Sequence, residues 1–329
     1  MSALAPTMQG FFTERMMTQR RASPNTVASY RDTFRLLLGF AQRRTGKTPS
    51  KLQLEDLDAV LIGAFLEHLE IERHNSVRTR NTRLAAVHSL FAYAALRHPE
   101  HAAVIQRVLA IPAKRTDRQL VSFLTRDEVD ALLAAPDRDT WVGRRDHALL
   151  LVAVQTGLRV SELTSLTCGD VELGTGAHLR CHGKGRKERI TPLTKQACGV
   201  LRVWLAERQG EPDDPLFPSR RRLSLSRDAV ALLVAKHTRV AGQRCPSLSS
   251  KTVSPHVLRH TCAMSLLAVG VDISVIALWL GHEGIETTQI YLHADLATKE
   301  RALARTAPAG TKPGRYHAPD ALIAFLEAL

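Results

Sequence analysis

Along the first 110 positions apolar residues recur at helical spacing, and capping residues mark where the helices begin. Ser23-Pro24 opens one: serine caps, proline suits the first helical position, and Tyr30, Phe34, Leu37, Leu38 and Ala41 follow on one face. A second pattern covers Leu57–Ile71, and a third starts near Ser76 and carries Leu84, Val87, Leu90, Phe91 and Ala94 inward. Ala102–Leu109 predicts a shorter apolar helix that closes the region. Periodicity then stops at Pro112–Gln119, a short, polar, basic stretch with the character of an interdomain linker.

The pattern resumes at Thr125-Arg-Asp-Glu128, a capping box ahead of Val129, Leu132 and Leu133. A long apolar helix is predicted over Arg145–Gln155, running up to Thr156-Gly157. His178–Cys181, a Gly-Lys-Gly-Arg turn and Glu188–Thr191 form a β-hairpin pattern. Helical spacing returns over Lys195–Glu207, Arg227–Val240, Pro255–Ala268, Ile273–Trp279 and Thr287–Leu292. After the Pro- and Gly-rich stretch Pro308–Pro319, Asp320–Leu329 predicts a short helix apolar on most sides. A helix this short needs a surface to bury against, on its own subunit or on a neighbour.

These patterns predict a mainly α chain with one small β-sheet. A length of 329 residues exceeds what one compact helical core holds. The expected division is a helical domain at 1–112, a basic linker at 113–122, a second domain at 123–307 and a tail at 308–329.

Composition narrows the classes. No run of about 18 apolar residues predicts a membrane span, and the N-terminus lacks the form of a secretory signal, so a cytoplasmic protein without membrane association is expected. Five cysteines, odd in number and without a CxxC pair, argue against a disulfide framework or a zinc ribbon. His256, His260 and Cys262 lie close together, but no second ligand cluster has zinc-site spacing, and no metal or cofactor is expected.

Charge changes the picture more. Forty-five Lys and Arg against 32 Asp and Glu leave +13. Residues 1–112 hold 15 basic and 9 acidic side chains and residues 113–329 hold 30 and 23, so the excess is shared by both halves. Two basic domains suit a protein that grips a polyanion. Arg78, Arg80 and Arg83 in the third helix, Lys114 and Arg115 in the linker and Arg186 in the hairpin turn are the DNA-binding candidates. For any one of the helical arginines, a solvated helix face explains the charge equally well.

Four separated segments supply groups suited to phosphoryl transfer. Arg159 follows Thr-Gly-Leu, Lys184 lies in the hairpin turn, and His256 and Arg259 are three apart on one helix face. His282 follows Leu-Gly, and Tyr291 lies in TTQIYLH. Two guanidiniums can pair with the non-bridging oxygens of a phosphodiester, and imidazoles can donate hydrogen bonds or move protons near neutrality. A lysine can protonate a leaving oxygen, and a phenol becomes a useful nucleophile only when it loses its proton. Taken singly, each residue has an ordinary structural explanation. Tyr30 and Tyr93 fall on apolar faces, Tyr316 lies in the tail, His260 reads as a helix-locking residue, and Glu162 either orients a neighbour or belongs to a polar face.

Together, TGLRVSEL, GKGRKERITPL, HVLRHTCAMSLLAVG and LGHEGIETTQIYLH resemble the catalytic domain of the tyrosine recombinase, or phage integrase, family. The N-terminal helices resemble that family's core-binding, SAM-like domain. The resemblance implies that Arg159, His256, Arg259 and His282 surround a scissile phosphate, with Lys184 as general acid and Tyr291 as nucleophile. It further implies a 3′-phosphotyrosyl intermediate, double-stranded DNA with a specific site as substrate, and a tetramer on DNA in which the tail helix docks on the next subunit. A second recombinase or a DNA-bending protein is a further partner the family uses. Cys262 and Ser265 depart from the family's HTFATHLL-like stretch, where an aromatic and a histidine are common. A mobile element is the expected setting. Dimer resolution in the Xer manner, a type IB topoisomerase and a DNA-binding regulator built on a decayed recombinase are the alternatives.

Overall fold

A computed structural model describes residues 4–116, 121–182, 188–282, 288 and 291. The chain divides into two compact units, Met1–Arg118 and Gln119–Leu329. Among the described residues no helix is long and apolar enough to cross a membrane.

In the first unit, α1 (Leu4–Gly10) runs directly into a wider π-helical stretch, Phe11–Gln19. Helix α2 (Pro24–Thr45) starts where expected, with Ser23 Oγ accepting from the Thr26 N–H, and ends at Gly46 in the left-handed region at φ +70°. Helix α3 (Ala59–Ile71) begins two residues later than the apolar pattern suggests, because Asp58 caps it and Leu54–Leu57 forms a separate 3₁₀ turn. Ser76 caps α4 (Val77–Ala95), and α5 (Ala102–Leu109) follows. Phe11, Phe34, Leu37, Phe65, Leu84, Val87 and Phe91 fill the core. Phe11 meets Phe34 and Tyr93 edge-on at 6.0 and 5.7 Å, so the π-helical stretch is anchored by aromatic packing.

The second unit opens with α6 (Arg126–Ala134), where both halves of the Thr125/Glu128 capping box form. Helix α7 (Trp141–Thr156) begins four residues earlier than expected because Thr140 accepts from the Gly143 N–H. Buried on nearly every side, α7 packs against α6, α9 and α11 and is the axis of this unit. Short α8 (Val160–Ser165) follows, then β1 (Val171–Glu172), β2 (His178–His182) and β3 (Glu188–Pro192) in an antiparallel sheet of order β1-β2-β3. Leu179 pairs with Thr191 and Cys181 with Arg189 across the hairpin. Helices α9 (Lys195–Arg208), α10 (Arg227–Gly242), α11 (Pro255–Ala268) and α12 (Ile273–Leu280) complete the described fold. The expected tail helix at Asp320–Leu329 and most of Thr287–Leu292 lie outside the described residues.

Candidate active site

Two helix ends and one turn place the site. Helix α7 ends at Gly157 with φ +61°, and a Cβ there would come within 2.7 Å of Leu280 Cδ2. Helix α12 ends in the same way at Gly281, φ +65°, where a Cβ would sit 2.8 Å from Arg189 Nη1. Glycine is therefore needed at both positions for the backbone turn and for the close approach. The carbonyls freed at these helix ends carry partial negative charge and point at guanidiniums. Arg259 donates Nη1 to Gly157 O at 2.7 Å and Nη2 to Leu280 O at 2.8 Å, and Arg159 donates Nη2 to Gly281 O at 2.8 Å.

Arg159 stands just before α8, whose third residue, Glu162, is 4% exposed. The Glu162 carboxylate accepts the Arg159 backbone N–H at 2.7 Å and Arg159 Nη1 at 3.0 Å. Arg189 on β3 adds a two-pronged contact at 2.7 and 2.9 Å. Burial alone would raise the Glu162 pKa, but these donors hold it below the ordinary carboxylate range. Arg259, almost fully buried, is pushed down to about 10 by burial and by Arg159, and remains a cation at neutral pH.

His282 follows the Gly281 turn, and its Nδ1 lies 2.6 Å from Thr288 Oγ1. Burial, then Arg259, Arg159 and Arg189, push it down to about 4, so it is neutral at pH 7. Tyr291 is 1% exposed, and burial raises its hydroxyl to about 12 against the opposing charge of Arg259. Its Oη lies 2.9 Å from His260 Nδ1. His256, exposed in the first turn of α11, packs its ring edge-on against His260 at 5.0 Å. Arg159 and Arg259 therefore bond the carbonyls of the Leu280-Gly281 turn, His282 follows it, Tyr291 packs in one apolar cluster with Leu280, and His256 adjoins them through His260. Lys184 and Arg186 lie outside the described residues.

This arrangement presents fixed cations, neutral imidazoles and a phenol around one point, which is the equipment for attack on a phosphodiester. The profile of the phage integrase family matches residues 122–297, and that of the phage integrase N-terminal SAM-like domain matches residues 11–98. The chain is a tyrosine recombinase of the phage integrase family. The recombinase is 60% identical over 328 residues to y4rC of Sinorhizobium fredii, named as an integrase/recombinase, with 100% of this chain and 99% of that one covered. It is 35% identical over 310 residues to the tyrosine recombinase XerD of Pseudomonas putida, covering 91% and 96% of the two chains. Among solved structures, the XerH site-specific recombinase bound to palindromic difH in a post-cleavage complex shares the fold with a TM-score of 0.70. The identity there is 24%, over 87% of this chain and 81% of that one. Family membership makes site-specific DNA recombination the activity of this protein.

The DNA-binding candidates of the recombinase's helical unit separate on inspection. Arg80 does not face outward: it is 6% exposed, and its Nη1 donates to Pro112 O and Asn81 Oδ1, both at 3.0 Å. Its place on α4 explains the correction, since positions 80, 84, 87, 91 and 94 form one inward stripe. Arg78 and Arg115 are exposed, and Lys114 pairs with Glu70 at 2.6 Å. Arg83 is half-buried, with Nε and Nη1 enclosed and without a partner among the described residues.

Three residues of the site were not assigned roles from sequence. Arg189 lies inside the GKGRKERITPL motif, yet β3 turns it inward and leaves Ile190 64% exposed, against the usual polarity of a strand. Glu162, left between two readings, is the shared acceptor of two guanidiniums. His260, read as a helix-locking residue, contacts the Tyr291 hydroxyl; its spacing from His256 was a signal, but its partner lies 31 residues away.

Proposed function

We propose that the protein cuts and rejoins DNA through a covalent 3′-phosphotyrosyl bond to Tyr291. The observation that carries this reading is that Arg159 and Arg259 bond the Leu280-Gly281 turn, His282 follows it, and Tyr291 packs in the same cluster as Leu280. Arg159 and Arg259 offer their remaining N–H groups to the non-bridging oxygens, where charge gathers during attack. His256 and His282 supply further hydrogen bonds to the phosphate. Lys184 donates the proton that the leaving 5′-oxygen takes up. Attack by a partner strand's 5′-hydroxyl then restores the backbone without ATP. Arg78, Arg83, Lys114, Arg115 and Arg186 contact the DNA backbone and fix its register.

The unit at 1–112, the linker at 113–122 and the unit at 123–307 act together on duplex DNA, and four protomers join two duplexes. In that assembly the tail at 308–329 docks on a neighbouring subunit. Integration or excision of a mobile element is the setting that the similarity to the integrase/recombinase y4rC favours. Similarity to XerD favours a second setting, resolution of chromosome or plasmid dimers.

The test is covalent capture of the full chain on a pool of random duplexes, followed by denaturation and sequencing of the linked strands. The expected product carries protein on a 3′ end and leaves a free 5′-hydroxyl. A captured duplex is then offered a second duplex: exchanged strands support recombination, whereas religation of the original strand alone would make the protein a topoisomerase-like nickase. Linkage at a 5′ end would overturn the proposed chemistry.

A further inference from the structure

The Tyr291 hydroxyl must lose a proton to attack phosphorus, and its surroundings restrict where that proton can go. The side chain is 1% exposed, so bulk water does not reach it. Its Oη is 2.9 Å from His260 Nδ1, with the rings edge-on at 65° and centroids 5.5 Å apart. His260 lies on α11 one turn after His256, in edge contact with that ring at 5.0 Å. We propose that His260 is a further catalytic residue of this recombinase, the general base that takes the phenol proton as Tyr291 attacks the phosphate. The proposal rests on the reading of Tyr291 as nucleophile.

A base at this position must be neutral before the reaction, and the structure makes it so. Burial pushes His260 down to about 4, and His256 and Arg259 push in the same direction. Among the described residues, the charged and titratable groups around it are His256 and Arg259 from its own helix, Tyr291 beside it, and His282 from the turn after α12. None of these is an anion at neutral pH. Nδ1 of the neutral ring accepts the phenol hydrogen bond when the ring proton sits on Nε2. A phosphodiester placed against Arg159 and Arg259 cancels part of the positive field, so DNA binding raises the basicity of His260 when it is needed.

The step balances. The Tyr291 O–H bond breaks and its proton moves to His260 Nδ1, while the oxygen lone pair forms the bond to phosphorus. The phosphorus–O5′ bond breaks, and the leaving oxygen takes a proton from Lys184. Rejoining reverses the sequence, with the His260 imidazolium returning its proton to the departing phenol. One cation is created as another is discharged, so the net charge of the protein around the phosphate is unchanged.

The test uses the full chain and a captured duplex made in two forms, with oxygen or with sulfur at the scissile 5′ bridging position. Sulfur leaves without protonation, so Lys184→Ala should regain linkage on the sulfur duplex. His260→Ala and His260→Asn should each slow single-turnover linkage about 10²–10⁴-fold, the usual worth of general acid–base catalysis, and equally on both duplexes. The asparagine keeps a hydrogen-bond acceptor near Nδ1 but takes no proton. Added imidazole should restore part of the rate of His260→Gly, and DNA affinity should stay within a factor of two. Linkage at the wild-type rate in either the alanine or the asparagine variant overturns the proposal, as does rescue by sulfur, which would put His260 at the leaving-group end. A rate loss that follows a loss of DNA affinity or melting temperature, without imidazole rescue, makes the residue structural and also overturns it. Absence of linkage in the wild type on every duplex would overturn the reading of Tyr291 itself, and this proposal with it.

Discussion

Two of the places where the second unit buries charge are closed in different ways. Around α7, the Arg145 guanidinium donates to Asp146 at 3.0 and 2.6 Å and to Pro218 O at 2.8 Å, and His237 Nε2 bonds the other Asp146 oxygen at 2.8 Å. One guanidinium meets one carboxylate there, and the group is sealed: Arg145, Asp146 and His237 are 7%, 2% and 3% exposed. At the far end of the same helix, Arg159, Arg189 and Arg259 gather around Glu162 and the carbonyls of Gly157, Leu280 and Gly281. Three cations face one bonded carboxylate among the described residues. Folding alone gives no reason to collect such a surplus, since buried like charges raise the free energy of the native state. On the function proposed above, a phosphodiester supplies the missing negative charge. The closed cluster holds the fold together, and on that proposal the open one holds a place for substrate.

The largest effect that can break this comparison is Asp146→Ala. It leaves Arg145 buried without its carboxylate and should cost about 3–5 kcal/mol of stability, measured by urea unfolding. Cleavage per folded molecule should be unchanged; a specific loss of cleavage would mean that the two clusters are not distinct. Arg259→Ala should show the opposite split. Its transition-state stabilisation should fall by about 2.7–4 kcal/mol, read as the rate of covalent linkage, with a smaller loss of stability than Asp146→Ala from the two carbonyls it leaves unpaired. Near-normal linkage would remove Arg259 from the reacting centre.

Gly157→Ala sharpens the account of how the open cluster is aimed. A side chain at φ +61° costs about 1–2 kcal/mol, and its Cβ would press on Leu280, so linkage should slow along with a modest loss of stability. The smallest effect is in the pH dependence of folding. His260 and His282 drop from an ordinary 6.5 to about 4 in the folded chain, so the unfolded chain protonates first as pH falls. Their contribution is fully present above pH 6.5 and is lost progressively down to about 4. Thermal melting of His260→Asn should show a shallower decline across that window; an unchanged decline would place the depressed titration elsewhere.

What was legible in the sequence followed local rules. Ser23, Ser76 and Thr125 announced helix starts because each side chain has a nearby N–H to satisfy. The hairpin followed from alternation around a Gly-rich turn, and Arg159, His256, Arg259, His282 and Tyr291 stood out by order and spacing. The misses came from contacts that local rules do not encode. Arg80 lies on the apolar stripe of α4 because Pro112 O, 32 residues away, accepts from it. Arg189 turns inward where Ile190 would be expected to, because Glu162 across the unit draws its charge. Neither the π-helical stretch at Phe11–Gln19 nor the pairing of His260 with Tyr291 has a local signature.

The most direct measurement is to digest the protein–DNA adduct of the full chain and map the modified residue by mass spectrometry, with Tyr291→Phe run in parallel. Phosphotyrosyl nucleotide on Tyr291, and no adduct from the phenylalanine variant despite normal DNA binding, is the predicted result. An adduct on another residue, or one that survives Tyr291→Phe, would contradict the claim that the cationic cluster at Leu280-Gly281 serves this nucleophile.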